Sequence, residues 1–306
     1  MDKKGELFHE TVFFLLFILA VFTVIFFAEV SSAEGKGAGL WGRFASQQTN
    51  YGGSKIKDHA LATKAYIRSS YGEIESWEFL ASQSTLYYKG GDDLDQTDVT
   101  LAYNNKDDLI SNFSLRGGGH YIDSDDALTD NGIVLFGRGI YIEKNAWDGG
   151  VEIDYSIYED SITNLHVLQT TPSLGFYLTD NTSDGSLYTE SKLYYIHKDK
   201  GEEEYVPISQ HNFVSFEQGI TYSDDPFDIK ASAWVGEQFL AVKTDSFLVN
   251  NLRDRYDGGL NFEIGYMIEK RFRLGAVVSY DQIKHPEIDD DRASQTTLSL
   301  NIGGEL

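Results

Sequence analysis

From about residue 40 to its end, the chain consists of stretches of alternating polarity joined by turn-rich connectors. The clearest stretch is 151–158 (VEIDYSIY), where Glu152 and Asp154 fall between apolar or aromatic neighbours. The stretches 260–266 and 272–276 repeat this pattern. A period of two is typical of a β-strand with two different faces, whereas a helix needs a period near 3.6. The sequence therefore predicts an all-β fold whose sheet separates an apolar environment from a polar one.

We place fourteen strands on this pattern, with twelve as the alternative count. The first strand rests on the weakest alternation, and most of the others are ten or more residues long. The predicted strands are 40–50, 58–69, 76–88, 98–104, 109–122, 132–144, 150–158, 165–178, 186–198, 211–222, 227–243, 258–268, 272–283 and 293–304.

The connectors form two interleaved sets, one mostly long, polar and acidic and the other mostly shorter with turn residues. An up-and-down barrel in an outer membrane has short periplasmic turns and longer external loops. An even strand count with both ends on the periplasmic side would place all the longer connectors outside. That set is 51–57, 89–97, 123–131, 159–164, 199–210, 244–257 and 284–292.

Composition narrows the function classes. The chain contains no cysteine, which excludes disulfides, thiol catalysis and Cys-ligated metal centres. Only 4 prolines accompany 19 tyrosines and 19 phenylalanines, a balance that favours strands. A net charge of −23 argues against nucleic acid as a partner, because phosphate binding needs clustered basic residues.

The amino-terminal segment predicts secretion. An apolar run over 12–28 follows Lys3 and Lys4 and precedes Ser31 and Ala33, the small residues of a cleavage site. We therefore predict a signal peptide over 1–33 and a mature barrel over 34–306. An uncleaved membrane anchor is the alternative, since seventeen apolar residues lie at the lower limit for spanning a bilayer.

The last strand supports a membrane barrel. Leu298, Leu300 and Ile302 share one parity, and the chain ends at Leu306 where such barrels usually end in an aromatic residue. The mature chain resembles Gram-negative outer-membrane β-barrel proteins, and monomeric porins in size and strand count. The resemblance implies a transmembrane antiparallel up-and-down barrel in the outer membrane. A soluble β-sandwich is the other alternating fold, but its strands are commonly about 5–6 residues long.

If the apolar parity faces lipid, the other parity lines the interior. The inner wall is then basic on the early strands and acid-leaning on the later ones. Opposed charge rows would orient the dipole of a polar solute, although the same charges can also pair and hold a filled barrel shut. The predicted pore-lining residues are Lys64, Arg68, Arg116, His120, Arg138, Glu152, Asp154, Glu190, Glu217, Glu263 and Arg273.

Local motifs give no sign of an enzyme. Barrel hydrolases of the phospholipase type carry His-x-Ser on one strand and omptin proteases carry Asp-x-His, and neither occurs here. The best local candidate is His120 with Asp123 and Ser124, for which a histidine at the rim is the simpler interpretation. The acidic runs at 92–98 and 289–291 lack EF-hand spacing, so we predict solvated loops and neither metal nor cofactor.

The predicted function is an outer-membrane channel for passive diffusion of small polar or charged solutes. Its partners would be outer-membrane lipid and lipopolysaccharide. A structural barrel whose loops 199–210 and 244–257 dock a surface or export partner is the alternative, and a barrel hydrolase is the third hypothesis. Loop 244–257 holds the apolar residues Phe247, Leu248, Val249 and Leu252, which could instead fold inward as a constriction.

Overall fold

The chain folds into a closed antiparallel barrel of fourteen strands with a short hairpin inserted between two of them. The computed structural model describes residues 38–72, 74–106, 111–159, 164–179, 185–199, 209–243, 247–250, 254–269, 271–285 and 290–305. The predicted signal segment 1–33 lies outside these residues. None of the helices in the described part of the chain is long and apolar enough to span a bilayer.

The barrel strands match the predicted ones closely, and the fourteen-strand count is confirmed. Their bounds are β1 Ala38–Gly52, β2 Lys57–Tyr71, β3 Glu75–Tyr88, β4 Leu94–Lys106, β5 Phe113–Ser124, β6 Gly132–Glu143, β7 Trp147–Glu159, β8 Asn164–Tyr177, β9 Ser186–Lys198, β10 Asn212–Asp224, β11 Phe227–Gln238, β14 Arg255–Ile268, β15 Phe272–His285 and β16 Asp290–Glu305. The inserted hairpin is formed by β12 Val242–Lys243 and β13 Leu248–Val249.

Every barrel strand pairs antiparallel with its neighbours in chain order, and the first strand closes the sheet on the last. The β1–β16 ladder runs from Trp41 opposite Glu305 to Gly52 opposite Ser294. Across the inserted hairpin, β11 pairs directly with β14. Closure removes the unpaired edges that an open sheet would expose, and it is the condition for strands to cross hydrocarbon.

The two faces of the wall have opposite polarity. Buried polar side chains point inward, among them Thr49, Ser82, Thr100, His120, Glu152, Asp154, Gln169, Ser215 and Thr297. Large apolar side chains point outward and are exposed, among them Phe44, Leu101, Leu135, Ile153, Leu168, Leu193, Phe216, Val235, Leu260, Val278 and Leu300. This arrangement inverts that of a water-soluble protein and is typical of a barrel surrounded by lipid.

The largest difference from the predicted strands is at β11. The strand predicted over 227–243 ends at Gln238, after a bulge between Val235 and Gln238. Gly236 has φ +113°, and a Cβ there would lie 2.4 Å from the carbonyl oxygen of Val214, so the bulge requires glycine. Leu240 also adopts a positive φ, 50°. The four apolar residues 239–242 cannot alternate between lipid and lumen, and the chain instead turns into the barrel.

Residues 239–243 and 247–250, which we call the lumenal hairpin, include an antiparallel pair in which Val242 lies opposite Val249. The N–H of Asn250 donates to the carbonyl oxygen of Ala241 at 2.8 Å. Apolar residues of the hairpin pack against inward-facing residues at the ends of β5–β10. This apolar cluster comprises Ile122, Leu128, Val134, Tyr158, Leu165, Val167, Ile196, Phe213, Phe239, Leu240, Ala241, Val242 and Val249.

The outward position of Ile153 gives a stability test. Ile153 lies at the middle of β7 and is 49% exposed. If its side chain contacts hydrocarbon, Ile153→Arg should lower the free energy of unfolding by about 2–4 kcal/mol, the cost of arginine near the bilayer midplane. The measurement is urea unfolding of protein refolded into lipid vesicles, with Ile153→Leu as the control that stays near wild type. Equal stability of the two variants would contradict a lipid-facing position.

Candidate functional site

The lumenal hairpin is fixed in the bore by one glutamine of the wall. The side-chain amide of Gln169 on β8 donates to the carbonyl oxygen of Val242 at 2.7 Å, and its amide oxygen accepts the N–H of Val242 at 3.0 Å. Gln169 and Val242 are each 1% exposed. This pair of hydrogen bonds satisfies a strand-like backbone edge where water is excluded, and it sets the depth of the hairpin.

The hairpin tip contacts the opposite side of the bore. The ring of Phe247 lies 4.6 Å from the guanidinium of Arg116 on β5, and edge-on to Tyr66 on β2 with ring centroids 5.6 Å apart. Arg116 in turn donates to Glu78 at 3.1 Å. The tip therefore packs on a cation whose charge is already balanced by a carboxylate.

Gly118 explains how Arg116 and Phe136 fit together. The guanidinium of Arg116 lies 5.0 Å from the Phe136 ring. A Cβ on Gly118 would come within 2.6 Å of that ring and 2.2 Å of the Leu101 carbonyl oxygen. Glycine at this position therefore lets the Phe136 ring and the Leu101 carbonyl of the wall approach the β5 backbone closely.

Lys243 faces the acidic part of the wall. Its ammonium lies 4.1 Å from the ring centroid of Trp234, and the Trp234 indole N–H donates to Asp281 at 3.1 Å. The nearby carboxylates that act on it are Asp281 and Glu217. The hairpin thus presents a cation to carboxylates on one side and an aromatic ring to a cation on the other.

The predicted pore-lining residues lie on the parity opposite to the exposed apolar residues of their strands, and the alternation of burial is clearest around His120, Glu152, Asp154 and Glu217. Their role in conduction stays a prediction. Many of them are bonded within the wall: Arg138 to Glu190 at 3.8 Å, Tyr194 to Glu217 at 2.8 Å, and Arg273 to Glu263 at 3.0 Å. The charges form neighbouring pairs as well as opposed rows.

His120 does not join Asp123 and Ser124, so the local triad hypothesis is wrong. Its Nδ1 shares a hydrogen bond with the Thr100 hydroxyl at 2.7 Å, and its Nε2 lies 3.6 Å from Asp98. Ser124 is about 13 Å further along the extended strand.

Several inward charges are missing from the predicted pore-lining list, and Asp98 and Arg43 are two of them. Asp98 begins the predicted strand 98–104 and was grouped with the acidic run at 92–98. It lies within β4, where it accepts hydrogen bonds from Ser82 at 2.8 Å and Gln96 at 2.7 Å. Arg43 on β1 points inward and stacks over Tyr66 at 5.6 Å. Asp98 and Thr100 have the same parity, opposite to that of the apolar Leu101. That alternation in the sequence could have identified Asp98 as an inward residue.

A buried polar cluster locks the base of the hairpin at the rim. Asp254, where the inserted segment returns to the wall, contacts Lys57 at 2.5 Å and His285 Nδ1 at 2.7 Å. His285 Nε2 lies 3.0 Å from the Ser54 hydroxyl. We call Ser54, Lys57, Asp254 and His285 the rim cluster, and each is 3% exposed. Burial opposes ionisation of Asp254, but Lys57 and His285 hold its pKa below the ordinary value.

In the rim cluster, Ser54, His285 and Asp254 are hydrogen-bonded in the same order as a Ser-His-Asp triad. Unlike a catalytic triad, these residues are buried and not accessible to a substrate. The Ser54 hydroxyl accepts the backbone N–H of Lys57 at 2.9 Å and that of Ile56 at 3.3 Å. Asp254 also balances the charge of Lys57, whereas a catalytic aspartate stabilises an imidazolium. We therefore interpret the cluster as a structural lock that joins the β1–β2 connector, the hairpin return and β15.

An open cavity remains beside the hairpin. It lies between the hairpin and the wall formed by β1–β5 and β16, opens to solvent, and has a volume of about 140 Å³. Its polar lining includes Gln47, Thr49, Lys64, Ser82, Ser84, Gln96, Asp98, His120 and Gln295. Within the described part of the chain, no three histidines or carboxylates are grouped as a metal site would need.

Comparisons with known proteins agree with the barrel. No protein-family model and no curated protein matches the chain. Among solved structures, the CymD monoaromatic hydrocarbon channel is similar over 88% of each chain, with a TM-score of 0.57 and 8% identity. A bacterial polysaccharide outer membrane secretin is similar over 87% of this chain and 98% of its own, with a TM-score of 0.56 and 8% identity. The chain has the fold of outer-membrane β-barrels.

The rim cluster gives a second stability test. Asp254→Asn leaves the Lys57 charge buried without its counter-ion, so we expect the free energy of unfolding to fall by about 3–5 kcal/mol. The double variant Lys57→Met with Asp254→Leu removes both charges and should recover most of that loss. Denaturant unfolding in detergent micelles measures both variants. A single variant as stable as wild type would show that the lock contributes nothing.

Proposed function

We propose that the chain is a passive channel for small polar solutes in the outer membrane of a Gram-negative bacterium. The observation that carries this proposal is the off-centre position of the lumenal hairpin. The hairpin and the apolar cluster fill the side of the bore along β5–β10, while a polar cavity stays open along β1–β5 and β16. The solute path would follow that cavity.

The chemistry of the cavity wall suits a hydrated solute. Hydroxyl and amide side chains such as Ser82, Ser84, Gln96 and Gln295 replace part of a hydration shell without binding the solute tightly. The small side chains of Ala60 and Ala62 keep the wall thin beside the hairpin. A path with many weak polar contacts allows a solute both to enter and to leave.

The similar structures support this proposal at the level of class. CymD is described as a channel and the other as an outer membrane secretin. Membrane lipid and lipopolysaccharide would surround the apolar outer face, and the solute would be the only ligand. An interaction barrel with a closed bore is the competing function, and the apolar cluster at the mouth is the observation that favours it.

Single-channel recording tests the proposal. The chain has no cysteine, so one introduced thiol is unique. In a planar bilayer we expect conductance steps, and in Ser84→Cys, whose side chain lines the cavity, a methanethiosulfonate reagent should reduce them. The matched control is Gln83→Cys, one residue away on the outward parity, which the reagent should leave unchanged.

The absence of conductance steps from the refolded wild-type barrel would overturn the channel and favour the interaction barrel. Steps that respond equally at both positions would overturn the proposed path while leaving a channel.

A further inference from the structure

Inward-facing charge is distributed unevenly around the barrel. On β1–β6 the basic side chains outnumber the acidic ones: Arg43, Lys64, Arg68, Arg116 and Arg138 against Glu78 and Asp98. From β7 onward carboxylates dominate, among them Glu152, Asp154, Glu190, Glu217, Glu263 and Asp281. The two halves of the inner wall therefore have opposite sign.

The lumenal hairpin lies unequally between these halves. Its apolar residues cover the ends of β5–β10. Its cation Lys243 faces Asp281 and Glu217 on the acidic half. On the same half of the wall, Lys192 contacts Glu190 at 3.3 Å, and Arg273 contacts Glu263 at 3.0 Å. The carboxylates of the acidic half are thus partly covered and partly balanced by neighbouring cations.

The open cavity runs along the other half, and Lys64 lines it directly. Arg68 follows Lys64 on the same parity of β2, and Arg43 on β1 lies opposite Tyr66 between them in the strand register. Arg116 and Arg138 are engaged by Glu78 and Glu190. Lys64 is the cation of the cavity lining, which also includes the carboxylate of Asp98, and Arg43 and Arg68 are the inward cations next to Lys64 in the β1–β2 register. We call Arg43, Lys64 and Arg68 the basic strip.

We propose that the channel selects small anions of the carboxylate or phosphate class, although the chain as a whole carries a net charge of −23. This inference rests on the proposed function and names the substrate class of that path. In a bore narrower than the Debye length of about 8 Å at physiological salt, wall charges act on every passing ion. Distant acidic loops are screened at that ionic strength, so the local sign of the strip decides selectivity.

The test is the reversal potential of refolded wild-type protein in a planar bilayer across a KCl gradient. We expect chloride to be more permeant than potassium. Replacing potassium chloride by potassium acetate or potassium phosphate separates the two anion classes, and each anion should remain more permeant than potassium if the strip acts by charge alone.

The triple variant Arg43→Gln, Lys64→Gln, Arg68→Gln should lower the chloride-to-potassium permeability ratio by about fivefold or more, the equivalent of one unit charge at about 4 Å in water. Arg43→Lys with Arg68→Lys keeps the charge and should keep the ratio. The matched control is Lys230→Gln, an inward cation of the acidic half that lies opposite Glu263, which should not lower the ratio.

The possible failures can be distinguished. A wild-type channel that prefers potassium overturns the anion inference and leaves the channel intact. A ratio that the triple variant does not change, or that Lys230→Gln lowers equally, overturns the basic strip as its cause. No conductance at all overturns the proposed function and this inference with it.

Discussion

The structure depends on the closure of one antiparallel sheet between two solvents. Each barrel strand gives its backbone hydrogen bonds to two neighbours, and the β1–β16 ladder leaves no edge. Side chains can then sort by parity alone, with apolar ones outward and polar ones inward. This sorting explains why Asp154, 0% exposed, lies next to Ile153, 49% exposed, in the same strand.

The lumenal hairpin divides the interior of the barrel. A barrel of this strand number encloses more space than its own inward side chains fill, and the hairpin occupies part of the remainder. It is held by three different interactions: apolar burial at the mouth, the Gln169 amide in the middle, and the Arg116 contact at the tip. The rim cluster fixes its return through Asp254. The described part of the hairpin is thus anchored to the wall at several points, which explains why the open cavity lies to one side.

Much of this arrangement follows from the sequence, because a period of two fixes which face each strand residue occupies. The strand count, the inward parity of residues such as Glu152 and Arg116, and an inward role for the segment around Phe247 could be predicted in this way. The end of β11 at the Gly236 bulge and the inward turn of residues 239–242 could not be predicted, because an apolar run that follows a strand resembles a continuation of that strand.

The rim cluster was beyond prediction for a different reason. Ser54, Lys57, Asp254 and His285 lie far apart in the sequence, and only barrel closure and the hairpin return bring them together. The same holds for the pairing of Arg138 with Glu190, which lie on β6 and β9. Parity tells which side a residue faces, whereas the partner across the bore depends on tilt, stagger and the inserted segment.

The central claim is that the two faces of the sheet contact different solvents, and tryptophan fluorescence in brominated lipid tests it most directly. Trp77 and Trp147 are exposed on the outer face, while Trp234 is buried inside beside Lys243. In single-tryptophan variants refolded into vesicles, bromine on the acyl chains should quench the fluorescence of Trp77 and of Trp147. The fluorescence of Trp234 should remain unquenched. Equal quenching of all three, or none in a protein that stays in the aqueous phase, would contradict the account.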